Sequence, residues 1–92
     1  VTPGAIQYGP YTTLSRGSYT ITFYGENLAN ASYDVFSGML DYYPEKFNIN
    51  KTDTVVSFDI TVTENIEDAE IRTINSQDST VYIDNITIEG IN

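Results

Sequence analysis

Glu70 and Arg72 stand two residues apart in the run EIR. On an extended strand that spacing puts them on one face, with Ile71 on the other. A guanidinium beside a carboxylate can clasp the hydroxyl groups of a polar ligand through charge-assisted hydrogen bonds. The same pair can also serve as an ion pair or a cross-strand brace. Tyrosines form the second chemical resource. Tyr8 and Tyr11 flank Gly9-Pro10, Tyr24 closes the stretch SYTITFY, and Tyr42-Tyr43 precede Pro44. A phenol ring covers the apolar C–H face of a sugar while its hydroxyl pairs with sugar hydroxyls. The alternative for each ring is packing: Tyr8 and Tyr11 against the sheet, Tyr42 or Tyr43 as the anchor of a loop. Asp84-Asn85 supply oxygen donors of the kind a hard cation prefers.

Catalysis has little material. The chain has no histidine and no cysteine, so nucleophilic triads and thiol chemistry are excluded and zinc loses its usual ligands. Two facing carboxylates could hydrolyse a glycoside, but nothing in the spacing marks such a pair. A non-enzymatic domain is the reading.

These residues must be positioned by strands. Isoleucine, valine, threonine, tyrosine and phenylalanine dominate, while alanine, leucine and lysine are scarce, a balance that favours sheet over helix. Residues 18–24 alternate with Tyr19, Ile21 and Phe23 on one face and Thr20, Thr22 and Tyr24 on the other. In residues 54–63, TVVSFDITVT, Val56, Phe58, Ile60 and Val62 turn inward. Further strands are predicted at 6–8, 32–36, 46–49, 69–74 and 80–89, with glycine, proline and asparagine turns between them. Residues 38–53 show no convincing strand and read as a loop crossing one end or edge. The sum is all-β: a single β-sandwich of about seven antiparallel strands spanning residues 1–92.

One strand carries a break. In TVYIDNITIE, residues 80–89, Val81 and Ile83 sit at odd positions and Ile86 and Ile88 at even ones. A regular strand would send the two pairs to opposite faces. One additional residue at Asp84-Asn85, as in a β-bulge, lets all four face the core.

Two stretches together carry a resemblance. Residues 8–28, YGPYTTLSRGSYTITFYGENL, combine an aromatic Gly-Pro-aromatic turn, a leucine, a glycine turn and a tyrosine-led core strand. Residues 69–91, AEIRTINSQDSTVYIDNITIEGI, combine a Glu-Ile-Arg strand with a terminal Val-x-Ile-Asp strand. The two resemble galactose-binding-like domains, the jelly-roll accessory modules of carbohydrate-binding type found beside sugar-handling proteins of bacterial surfaces. The resemblance leaves the middle of the chain unmatched. It implies a jelly-roll sandwich, a glycan as partner, and a structural calcium for which Asp84 is the matching terminal-strand ligand. The additional first strand that often supplies another calcium ligand is largely missing here, and so is the tryptophan platform of many sugar-binding modules.

Composition bounds the partners. Four basic residues against thirteen acidic ones give a net charge of -9, which disfavours nucleic acid and anionic membrane surfaces. No window has the length of a membrane-spanning helix, so direct membrane insertion is not expected. The first residue is valine, and no disulfide can form. These point to a domain excised from a larger, bacterial protein, cell-surface or extracellular, with that protein's other domains as neighbours. The functional expectation is a carbohydrate-binding accessory module. The alternative is an immunoglobulin-like structural spacer or protein-interaction domain.

Overall fold

The computed structural model describes residues 6–38, 40–42, 49–75 and 80–91. Eight strands form: β1 (Ile6–Leu14), β2 (Gly17–Glu26), β3 (Ala31–Ser37), β4 (Leu40–Tyr42), β5 (Ile49–Lys51), β6 (Val55–Val62), β7 (Ile66–Asn75) and β8 (Tyr82–Ile91). They make two four-stranded antiparallel sheets, ordered β1-β7-β3-β4 and β5-β6-β2-β8. The chain changes sheet from β1 to β2 to β3, and again from β6 to β7 to β8. Strands from its two ends therefore lie side by side in both sheets, the wrap of a jelly-roll sandwich. Seven strands were anticipated; the eighth arises inside residues 38–53, where a loop was expected. There β4 pairs with β3 through a tight turn that starts at Gly38, whose φ of 59° suits a residue without a side chain.

The two clearly alternating segments behave as their pattern demands. Ile21, Phe23, Val56, Phe58, Ile60 and Val62 are fully buried. Rings from both sheets meet at the centre: Phe23 lies 4.5 Å from Tyr33 and 6.0 Å from Phe58, centroid to centroid. The buried Tyr33 hydroxyl donates to the Leu28 carbonyl at 2.7 Å. Burial raises the Tyr33 pKa above the ordinary phenol value. Lys51 reaches from β5 to donate to the Ala31 carbonyl, and its own burial lowers its pKa.

The phase break in β8 is a β-bulge. Tyr24 faces Asn85 and Gly25 faces Ile83, so Asp84 is the extra residue on β8. Val81 is fully buried, and Ile83, Ile86 and Ile88 pack against the core. At Gly25 the strands approach so closely that a Cβ would lie 1.9 Å from the Tyr82 carbonyl oxygen. β1 also runs further than the expected 6–8, passing Gly9-Pro10 with a register shift between Tyr8 and Tyr11. It stands at a sheet edge, where a proline's missing N–H is tolerated.

β4 packs on β6, with Tyr42 and Thr63 joined by their hydroxyls at 3.2 Å. The three-residue strands β4 and β5 therefore share one flank of the sandwich, and the long edge strands β1 and β8 share the other.

Candidate functional site

Strand register gathers several of the nominated residues on the outer face of the first sheet. Tyr8 stands opposite Arg72, which stands opposite Asp34; Tyr11 stands opposite Glu70, which stands opposite Phe36, itself facing Asp41. Glu70 and Arg72 do share a strand face, but Arg72 is engaged elsewhere. Its Nε donates to Asp34 Oδ1 at 2.7 Å, its Nη2 donates to Asp34 Oδ2, and Nη2 also reaches Asp41 Oδ2 at 3.2 Å. The guanidinium lies over the Phe36 ring, 4.4 Å from its centroid, a stacking that a planar cation favours. Arg72 thus ties β7 to β3 and β4, and the side chain of Asp34 is left only 2 % exposed. Between clasping a ligand and bracing strands, this geometry is the brace. Asp34 and Asp41 were not singled out in the sequence. The available signal was that Asp34 sits at an outward position between two inward ones, Tyr33 and Val35, and so must meet whatever charge β7 presents.

Tyr11 is 65 % exposed on this face beside Glu70. Tyr24 does not join Tyr8 and Tyr11, because it belongs to the opposite sheet and faces away from the sandwich there. Tyr42 is buried on β4, with its hydroxyl on Thr63, so it anchors the core instead of displaying a ring. Tyr43 lies outside the described residues.

The outer face of the second sheet offers a different arrangement. β2, β6 and β8 there present a ladder of short polar side chains. Thr20 Oγ1 donates to Asp59 Oδ1 at 2.7 Å, and Thr22 meets Ser57, and Ser18 meets Thr61, each at 3.2 Å. Thr87 stands opposite Thr22, and Asn85 opposite Tyr24. At the bulged end two phenols are exposed: Tyr24 at 41 % and Tyr82 at 55 %, on β2–β8 rungs separated by the Gly25–Ile83 rung. Tyr82 was not singled out in the sequence; the signal was that a bulge turning Val81 and Ile83 inward places Tyr82, between them, on the outer face.

Asp84 is exposed at the bulge. Among the described residues no three or more acidic side chains gather where they could hold a metal ion.

Comparison of the chain with protein-family models, with curated proteins and with solved structures finds no match.

Proposed function

We propose that this domain is a non-catalytic carbohydrate-recognition module, an accessory to a bacterial surface or polysaccharide-related protein, and that it uses the outer face of the β5-β6-β2-β8 sheet. The observation that carries the reading is the pair Tyr24 and Tyr82, both exposed at one end of a flat ladder of hydroxyls and an amide. Stacked rings would cover the apolar face of a sugar, while Asn85, Thr22 and Thr87 exchange hydrogen bonds with its hydroxyls. Carboxylates at Glu26, Asp59, Asp84 and Glu89 border this sheet, which favours neutral over anionic sugars. The face is open, so each hydrogen bond to a sugar replaces one to water and contributes only about 1 kcal/mol. Binding is therefore weak, of roughly millimolar strength.

Titration of the isotope-labelled domain with a panel of neutral oligosaccharides tests this by NMR. Saturable shifts at the Tyr24 and Tyr82 rings are expected, lost in Tyr24→Ala and Tyr82→Ala. Spectra that stay unchanged across the panel overturn it.

A second reading, a structural spacer that presents neighbouring domains, is favoured by the Arg72 brace and the buried Tyr42. Both turn nominated binding residues into parts of the scaffold. For a spacer, replacing Tyr24 and Tyr82 together leaves every interaction of the parent protein unaltered, whereas a glycan module loses its ligand.

A further inference from the structure

A sandwich with two open sheets has four edge strands, and three of the four here carry features that block pairing with another chain. β4 and β5 are three residues long, and β5 ends in Lys51. β1 is interrupted by Gly9-Pro10 and by two register shifts. Short edges, lysine, proline and bulges are the ordinary means of protecting an edge.

β8 is different beyond its bulge. Residues 85–91, NITIEGI, pair without interruption to residues 18–24 of β2. They contain no proline and no lysine, and Glu89 is their single charge. Among the described residues nothing pairs with β8 on its other side. The core beneath this strand is also incompletely covered. On β6 the inward residues Val56, Phe58, Ile60 and Val62 are fully buried, whereas Ile83, Ile86 and Ile88 of β8 are only partly so. Tyr82 and Ile91, at the two ends of the strand, are exposed.

We propose that residues 85–91 of β8 accept an extended segment of a partner protein as an additional antiparallel or parallel strand of this sheet. The side-chain environment defines the segment. Positions on the inner side must be apolar, to complete the cover over Ile86 and Ile88. Positions on the outer side meet Thr87 and Glu89, on a face that also carries Glu26, Asp59 and Asp84 and, among the described residues, no lysine or arginine. Charge complementarity therefore selects basic residues there. A strand alternating apolar with lysine or arginine satisfies both sides, and main-chain hydrogen bonds supply the rest. A second copy of this chain is the poorer occupant, because each carries a net charge of -9. The open backbone edge carries this inference and the carbohydrate reading does not; the two share only outer-face side chains, Thr87 and the nearby carboxylates.

The test is an NMR titration of the labelled 92-residue chain with a capped seven-residue peptide alternating lysine and valine. The expected result is saturable shifts and slowed amide exchange at alternate residues within 85–91, those whose N–H groups point away from β2. Glu89→Gln should weaken binding about 2- to 5-fold at low salt. Thr87→Lys, an outer-face change that leaves the β2–β6 amide signals in place, should weaken binding by a similar factor, about 2- to 5-fold at low salt. Absence of protection at millimolar peptide overturns the proposal. So does equal binding by a glutamate–valine peptide, or by a lysine–valine peptide with proline at its centre. A concentration-dependent dimer that protects the same amides without peptide overturns the assigned occupant in favour of a second copy.

Discussion

Arg72 illustrates how a residue type suggests one chemistry and its neighbours assign another. Its Nε and Nη2 donate to Asp34 and Asp41, and its flat face rests on Phe36. The energetic weight of this arrangement comes from Asp34, whose side chain is almost wholly removed from water. A buried carboxylate that loses its cation is left uncompensated. Arg72→Met should therefore destabilise the domain by about 3–5 kcal/mol, read from urea unfolding. That is much of the total stability of a domain this size, roughly 5–10 kcal/mol. Arg72→Lys should restore only part, because an ammonium cannot make the two-pronged contact. Adding Asp34→Leu to Arg72→Met should recover only part of the loss, since Asp41, a quarter exposed but with its Oδ1 buried, also loses the guanidinium. A cost for Arg72→Met below about 1 kcal/mol would mark the contact as an ordinary surface pair.

At the level of elements, β8 is built around one inserted residue. Its bulge keeps Val81 and Ile83 on the same side as Ile86 and Ile88, and the close crossing at Gly25 accommodates the kink. The arrangement makes an unusual deletion harmless. Without Asp84 the strand reads Val81, Tyr82, Ile83, Asn85, Ile86, an unbroken alternation with the same three aliphatics inward. Deleting Asp84 should leave Gly25 opposite Ile83 and Tyr24 opposite Asn85, visible as cross-strand contacts in NMR spectra, at a cost of no more than about 1 kcal/mol. Deleting Thr87 instead moves every residue on one side of the gap to the other face, and should unfold the domain.

For the whole molecule, the phenol at the centre of the core ties global stability to alkaline pH. Tyr33 has its pKa raised by burial. In the unfolded chain it releases its proton near pH 10, while the folded state retains it. Above pH 10 the folded state therefore binds more protons than the unfolded one. The Tyr33 contribution is fully present below that pH and falls by about 1.4 kcal/mol per pH unit above it. Lys51 acts in the opposite sense: its lowered folded pKa makes stability rise with pH as its ordinary value of 10.5 is approached from below. Lys51 lies over the Tyr33 ring, 5.7 Å from its centroid, so its contribution cancels only in part when wild type is compared with Tyr33→Phe, in which the ring is kept. The variant should lose about 1 kcal/mol at neutral pH, for the hydrogen bond to Leu28. It should unfold less steeply above pH 10 in urea titrations at stepped pH. Parallel alkaline profiles would show that the phenol ionises without unfolding the core.

Much of the sandwich is legible in the order of residues alone. Strand period is a local property, so the inward sets of β2 and β6 and even the bulge at Asp84 follow from counting by twos. β4 was hidden because three residues are too few to show a period, and the pairing that makes Leu40–Tyr42 a strand comes from β3. The pairing of Glu70 with Arg72 on one face was likewise readable, being a matter of spacing within one strand. Which residues share a surface across strands was not. Tyr24 and Tyr11 both point to solvent, yet they lie on opposite sheets, and Tyr24 has Tyr82 as its neighbour, 58 positions along the chain. Sheet order and register are settled by how two apolar faces cover each other, a condition on the whole chain at once. It is that condition, and no local pattern, that turns Arg72 to Asp34 and, among the described residues, leaves the edge of β8 open.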